Sequence, residues 1–182
     1  MSETEFKGAI KASVHEVVKI IEEDGFRRID TCVETDIYYD HPCRSLGASD
    51  EALRLRMRKC ESLEYVALTY KGPRRINGLF KTREEVEVFL PEKSFEDTAK
   101  LLENLGFKKV MSFTKKRIIF RREGLEASVD ELLGVGHFIE VEVKDPSYMN
   151  EANGLLAKLS SLVDPVSKTY LEICLENKSC RT

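Results

Sequence analysis

Several stretches of the chain alternate strictly between apolar residues and charged or polar ones. In EALRLRMRK, Leu53, Leu55 and Met57 alternate with three arginines. Because successive side chains of a strand point to opposite faces, this alternation predicts a strand with one apolar and one charged face. The same pattern occurs in ETEFK, VALTYK, REEVEVFL, KKRIIF and IEVEV. We therefore expect a sheet of about eight such strands.

Two segments have instead the apolar stripe of an amphipathic helix, with a signal for where each helix begins. We expect Ser13 to cap the first helix in a capping box with Glu16, and Ser94 to cap the second, with Asp97 three residues later. The predicted stripes are Val14, Val17, Val18, Ile20 and Ile21 in the first helix, and Leu101, Leu102 and Leu105 in the second. A third helix is predicted from about residue 148 to residue 162, and a short one near residue 170.

The segments that follow the first two helices resemble each other. GFRRIDTCVETDIYY begins at Gly25 and GFKKVMSFTKKRIIF begins at Gly106, each with glycine, phenylalanine, two bases and a branched aliphatic residue. A chain of 182 residues can bury one sizeable core. We therefore expect a single domain over residues 1–182, built from two pseudo-repeated halves of about 1–80 and 81–182.

Composition narrows the function classes. The chain is 42% apolar and 34% charged with a formal net charge of −3, which is typical of a globular protein and argues against general nucleic-acid binding. No apolar run is long enough to cross a membrane. The five cysteines are odd in number and lack zinc-ligand spacing, so we expect reduced thiols and a cytoplasmic protein.

The charged faces could point to solvent or to the inside of a closed barrel. Mixed charge on a solvent face is common, but rows of arginine on one strand and carboxylates on others favour an interior that binds phosphate and metal. A barrel of eight strands can also close around one small ligand. In that arrangement helices cover the apolar outer face, including Val86, Val88, Ile118, Val141 and Val143.

Eight motifs then occur in a specific order over nearly the whole chain. They are ETEFK, DIYYDHP, EALRLRMRK, LTYKGP, TREEVEV, KKRIIF, SVDELLGVGHFIEVE and TYLEICL. Together they resemble the CYTH superfamily, which is named for class IV adenylyl cyclase and thiamine triphosphatase, and DHPCRSL and LTYKGP are most similar to the cyclase branch. The resemblance implies an α+β fold, an eight-stranded antiparallel closed β-barrel or triphosphate tunnel with a charged interior and helices outside.

The resemblance also implies roles for individual residues. Binding of Mg²⁺ or Mn²⁺ is assigned to Glu3, Glu5, Glu140 and Glu142. Binding of the triphosphate is assigned to Lys7, Arg54, Arg56, Lys71, Arg83, Lys115 and Arg117. The catalytic candidates are Glu5, Lys71, Glu85 and Asp130, the last either as metal ligand or as base. Arg58, Arg74 and Arg75 are expected to be solvated.

Three functions stay open. A class IV-like adenylyl cyclase, which converts ATP to cyclic AMP and pyrophosphate, is favoured by the branch similarity. A triphosphate phosphohydrolase and a non-catalytic polyphosphate or nucleotide binder are the alternatives. The expected partner is a small triphosphate such as ATP, tripolyphosphate or thiamine triphosphate, with no nucleic acid and no membrane, and a homodimer stays open as well.

Overall fold

The computed structural model describes residues 2–177 and 179–182. The strands are β1 Ser2–Ile10, β2 Arg27–Asp40, β3 Ala52–Cys60, β4 Glu64–Lys71, β5 Arg75–Asn77, β6 Phe80–Leu90, β7 Lys108–Arg122, β8 Leu125–Leu132, β9 Gly136–Val143 and β10 Val163–Pro165. The α-helices are α1 Val14–Glu23, α2 Phe95–Asn104, α3 Met149–Leu159 and α4 Tyr170–Glu176. Within these described residues no helix is both long and apolar enough to cross a membrane.

Eight of the strands close into an antiparallel barrel. Their order around the barrel is β1, β9, β8, β7, β2, β3, β4 and β6, and β6 pairs back with β1. The short strands β5 and β10 extend the sheet at β6 and β1. This topology confirms the closed eight-stranded α+β barrel expected from the sequence.

The alternation within each strand divides the barrel into a charged inside and an apolar outside. On β3, Leu55 is completely buried outside the barrel against Leu102 of α2, whereas Arg54 and Arg56 line the internal cavity. Helices α1 and α3 cover β8 and β9, where Val17 and Leu155 belong to the largest apolar cluster. Burial of these apolar faces is the main favourable term for folding.

The helices do not cover the whole outer face. Ile118, Val141 and Val143 pack in the core under α1 and α3 as predicted. The prediction is wrong for Val86 and Val88 on β6, which are each 52% exposed because the described helices pack over other strands. Two leucines of the predicted α2 stripe, Leu101 and Leu105, are also exposed. Helix α2 contacts the barrel through a narrow face, and Leu102 is its one buried side chain among the described residues.

The two predicted helix caps have different outcomes. Ser13 and Glu16 form the expected capping box at the start of α1. Ser94 makes no cap, because its hydroxyl donates at 2.6 Å to the carbonyl oxygen of Pro91 in the preceding turn. The predicted role of Ser94 is therefore wrong, although α2 itself begins where expected, at Phe95.

The prediction of five reduced thiols is also wrong. Cys32 and Cys60 stand opposite each other in the register of β2 and β3 and form a disulfide, and Cys174 and Cys180 form a second one after α4. Only Cys43 is a free thiol among the described residues. An odd number of cysteines does not exclude two disulfides. The spacing of cysteines along the chain also gives no information on the strand register that brings Cys32 opposite Cys60.

The difference between the two caps is testable. Replacing an N-cap serine with alanine typically costs about 1 kcal/mol, because one backbone N–H loses its partner. We expect Ser13→Ala to lower the free energy of unfolding by about that amount and Ser94→Ala, the matched control, to lower it by clearly less. Urea unfolding of both variants measures this. Equal losses would contradict the cap assignment.

Candidate active site

The barrel encloses one large cavity with a volume of about 560 Å³, and side chains from all eight barrel strands line it. The sequence-predicted residues Glu3, Glu5, Lys7, Arg54, Arg56, Lys71, Arg83, Glu85, Lys115, Arg117, Glu140 and Glu142 all lie in its wall. Asp130, the remaining candidate, is completely buried just behind this wall. The charged face of ETEFK therefore points inward.

The guanidinium of Arg56 is fully paired with buried carboxylates. Arg56 donates two hydrogen bonds to Asp36, at 2.6 and 2.7 Å, and lies 2.9 Å from a carboxylate oxygen of Glu34. All three side chains are buried, and burial alone would raise the pKa of Glu34, but the surrounding arginines and Lys115 hold it well below its usual range. Arg56 is thus fixed in position by carboxylates that remain ionised.

A second paired group surrounds Asp130. This carboxylate accepts hydrogen bonds from Arg117 at 2.6 and 2.7 Å, from Lys115 at 3.1 Å and from the hydroxyl of Tyr170 at 2.6 Å. Lys7 lies over the Tyr170 ring at 3.7 Å. The carboxylate of Asp130 therefore orients Arg117 and Lys115, and its role as metal ligand or base stays a prediction.

Two arginines keep unused donors. The Nε atoms of Arg54 and Arg58 are buried and have no hydrogen-bond partner among the described residues. Arg54 contacts Thr69 at 3.3 Å and Glu87 at 3.5 Å through its Nη2 atom, and both arginines face the cavity. Unpaired buried donors are costly, so an anion that accepts hydrogen bonds from them would be stabilised.

An acidic group lies on the paired strands β1 and β9. Glu5 stands opposite Glu142 in the register, and Glu3 is the next inward residue of β1. Burial and the charge of Glu3 together raise the pKa of Glu142 to about 7, against the opposing effect of Lys144. A cluster of carboxylates in which one resists ionisation is typical of a site for a divalent cation, and the hard oxygen atoms suit Mg²⁺ or Mn²⁺.

The other predicted carboxylates, Glu140 and Glu85, each contact two cations, whereas each member of the acidic group lies within ion-pair distance of a lysine. Glu140 contacts Arg117 and lies 3.2 Å from Lys7. Glu85 contacts Lys71 and accepts a hydrogen bond from Arg83 at 3.2 Å. Burial would raise the pKa of Glu85, but hydrogen bonding with Glu3 and the charge of Lys71 bring it to about 2. Both groups therefore hold basic residues in place.

Comparison with known proteins agrees with this geometry. Residues 1–164 match the CYTH domain family. The chain belongs to the CYTH family. It is 34% identical over 181 residues to "Putative adenylate cyclase MJ0240" of Methanocaldococcus jannaschii, covering 95% of this chain and 98% of that protein. It is 25% identical over 148 residues to adenylate cyclase CyaB of Aeromonas hydrophila, covering 78% of this chain and 72% of that one.

Solved structures of similar fold include the PH1819 protein of Pyrococcus horikoshii, with a TM-score of 0.79 and 35% identity over 96% of this chain and 98% of that one. The Hippeastrum protein HpAC1 has a TM-score of 0.73 and 18% identity over 96% of this chain and 95% of that one. At that identity the likeness to HpAC1 shows the fold alone.

Several charged residues of the barrel interior were not predicted from the sequence. Glu34 and Asp36 continue the inward alternation of β2, and Lys81, which lies 3.4 Å from Glu5, continues that of β6. Arg58, expected to be solvated, lines the cavity and pairs with Glu34. Glu34 and Lys81 lie just outside the matched motifs, and extending the period-two pattern would have found them. Asp36 and Arg58 lie inside DIYYDHP and EALRLRMRK and follow the same alternation.

No alternation in the sequence predicts that Tyr170 faces the barrel interior. It begins α4, outside the strand patterns, and reaches the barrel interior through packing on Phe113 and Phe138. Arg74, which lies outside the cavity lining, pairs with Glu172 of the same helix at 2.8 Å and with Asp50. The aromatic packing of Tyr170 and the ion pair between Arg74 and Glu172 thus set the position of α4. Both are long-range contacts, which no local sequence pattern predicts.

The acidic group predicts a pH-dependent stability. A carboxylic acid whose pKa rises from 4.5 to about 7 on folding binds its proton more tightly in the folded state. The resulting stabilisation is present below pH 4.5 and is lost as the pH rises through 7. Without divalent cations, we expect Glu142→Gln to raise the free energy of unfolding by about 1–3 kcal/mol at pH 8 and to change it little at pH 4.

Urea unfolding at the two pH values measures this effect. Glu64→Gln, an exposed carboxylate at the start of β4, is the control and should give no such pH dependence. An equal effect of Glu142→Gln at both pH values would contradict the raised pKa.

Proposed function

We propose that this protein is a divalent-metal-dependent enzyme that acts on a small-molecule triphosphate, as an adenylyl cyclase of the class IV type. The observation that carries the proposal is the separation of charge within one cavity. Three clustered carboxylates lie on β1 and β9, each with a lysine as ion-pair partner, and arginines with unused donors lie on β3. A triphosphate with its cation has the complementary arrangement of charge.

The metal is assigned to Glu3, Glu5 and Glu142. These carboxylates face the cavity, and the pKa of Glu142 is raised by burial and by the charge of Glu3, an effect that a cation would offset. A bound Mg²⁺ or Mn²⁺ would neutralise phosphate charge. Glu140, whose carboxylate contacts Lys7 and Arg117, is assigned instead to the positioning of those two cations.

The phosphate oxygens are assigned first to Arg54 and Arg58, with Lys71 and Arg83 beside them. Arginine offers two-point contacts to phosphate, and lysine offers a compact point charge. Asp130 and Glu34 keep the deeper cations Lys115 and Arg117 in fixed positions. Charges that are already oriented stabilise a phosphoryl transition state without reorganisation during the reaction.

In the proposed reaction the ribose 3′-hydroxyl of ATP releases its proton to solvent, and its oxygen attacks the α-phosphorus. A new O–P bond closes the cyclic phosphate, and pyrophosphate leaves with the electrons of the broken bond. Such chemistry depends mainly on positioning and charge stabilisation, which this cavity can supply. The cyclase assignment is favoured by relatives with cyclase names, one of them 34% identical over almost the whole chain.

Triphosphate hydrolysis is the second candidate. HpAC1, which has the same fold, was named as an adenylyl cyclase and has a dominant triphosphatase activity. The same cavity could place water at the terminal phosphorus. A non-catalytic binder is disfavoured, because binding a polyanion gives no reason to cluster Glu3, Glu5 and Glu142.

Product analysis separates the first two candidates. With ATP and Mn²⁺ we expect cyclic AMP and pyrophosphate in equal amounts, and we expect both to be lost in Glu5→Gln because the cation loses a ligand. Near-normal thermal stability of the variant is the control for folding. Orthophosphate release from tripolyphosphate without any cyclic nucleotide from ATP would reject the cyclase and leave the hydrolase.

A second test addresses the phosphate contacts. A charge-assisted hydrogen bond is worth about 1.5–3 kcal/mol, so Arg54→Ala should lower kcat/KM for the triphosphate substrate by about tenfold or more. Lys116→Ala removes an equal charge from the outer face of β7 and should have little effect. Similar losses in both variants would indicate diffuse electrostatic attraction in place of a defined site.

A further inference from the structure

Two aromatic rings lie in the wall of an otherwise strongly charged cavity. Tyr65 on β4 and Phe89 on β6 both line it, with ring centroids 5.2 Å apart and planes inclined at 75°. The guanidinium of Arg58 lies over the Tyr65 ring at 5.5 Å. These three side chains form what we call the aromatic corner of the cavity.

The aromatic corner differs from the other aromatic residues of the cavity wall. Tyr38 and Tyr170 are both buried, and each packs on Phe113. Phe89, in contrast, is 63% exposed, and Tyr65 is half-buried. The Phe89 ring contacts Tyr65 and stands opposite Ala67 in the register, and its exposed part gives apolar surface to a ligand.

The register places this corner beside the proposed phosphate contacts. Tyr65 stands opposite Arg58, and Thr69, which contacts Arg54, stands opposite Glu87. Phe89 is the next inward residue of β6 after Glu87, and two residues of a strand span roughly 7 Å. A molecule whose phosphates lie at Arg54 could therefore place an attached ring against Phe89.

We propose that Tyr65 and Phe89 form a binding subsite for the aromatic base of a nucleoside triphosphate. The face of a nucleobase would stack on the exposed Phe89 ring, and Arg58 would contact both the Tyr65 ring and a neighbouring phosphate. The inference rests on the proposed triphosphate function and makes it more specific. It selects nucleotides over inorganic tripolyphosphate as the natural substrate class.

The test compares two ligands in one set of variants. Dissociation constants for ATP and for tripolyphosphate are measured by calorimetry, with Ca²⁺ in place of the catalytic cation to limit turnover. Loss of a base–aromatic stack typically lowers affinity by about fivefold to 100-fold. We expect Phe89→Ala to weaken ATP by at least fivefold and to leave tripolyphosphate unchanged. Phe89→Tyr should retain the affinity for ATP.

Val88→Ala is the matched control, since Val88 is exposed on the opposite face of the same strand and does not line the cavity. It should change neither constant. Equal weakening of both ligands in Phe89→Ala, or an unchanged affinity for ATP, would overturn the base subsite and leave the triphosphate function standing. If the wild-type protein binds neither ligand, the proposed function fails and the subsite fails with it.

Discussion

Closing eight alternating strands into a barrel places about half of their side chains in a small interior, and here most of those side chains are charged. A buried charge is tolerated when an opposite charge and hydrogen bonds compensate for the lost hydration. Glu34, for example, is completely buried and lies within ion-pair distance of Arg56, Arg58 and Lys115. The pairing of internal charges is therefore the constraint on which this CYTH fold depends.

The proposed binding site lies where the pairing of internal charges is incomplete. Glu34, Asp36 and Asp130 are surrounded by cations and serve as a fixed frame. The carboxylate of Glu142 has a raised pKa although Lys144 lies 2.6 Å away, and the Nε atoms of Arg54 and Arg58 have no hydrogen-bond partner among the described residues. A metal-bound triphosphate would compensate the Glu142 carboxylate and the arginine donors at the same time. The proposed binding site therefore coincides with the least compensated part of the interior.

Alternation along single strands was sufficient to predict strands with one apolar and one charged face, because that pattern is local. The closed barrel and the inward direction of ETEFK came from the resemblance to the family. What failed depends on contacts between distant residues. The exposure of Val86 and Val88 depends on where helices pack, the Cys32–Cys60 disulfide depends on the register of β2 and β3, and the place of Tyr170 depends on the docking of α4. The motifs assigned both Glu140 and Glu142 to metal, and that assignment stays a prediction. The structure adds that Glu140 contacts Lys7 and Arg117, whereas Glu142 contacts Lys144.

The most direct test of this account is a crystal structure with tripolyphosphate and Mn²⁺, in which anomalous scattering locates the metal. The account predicts a metal peak in contact with the carboxylates of Glu3, Glu5 and Glu142, and phosphate oxygens within hydrogen-bond distance of Arg54 and Arg58. A triphosphate bound outside the barrel, or a metal peak away from these three carboxylates, would contradict it.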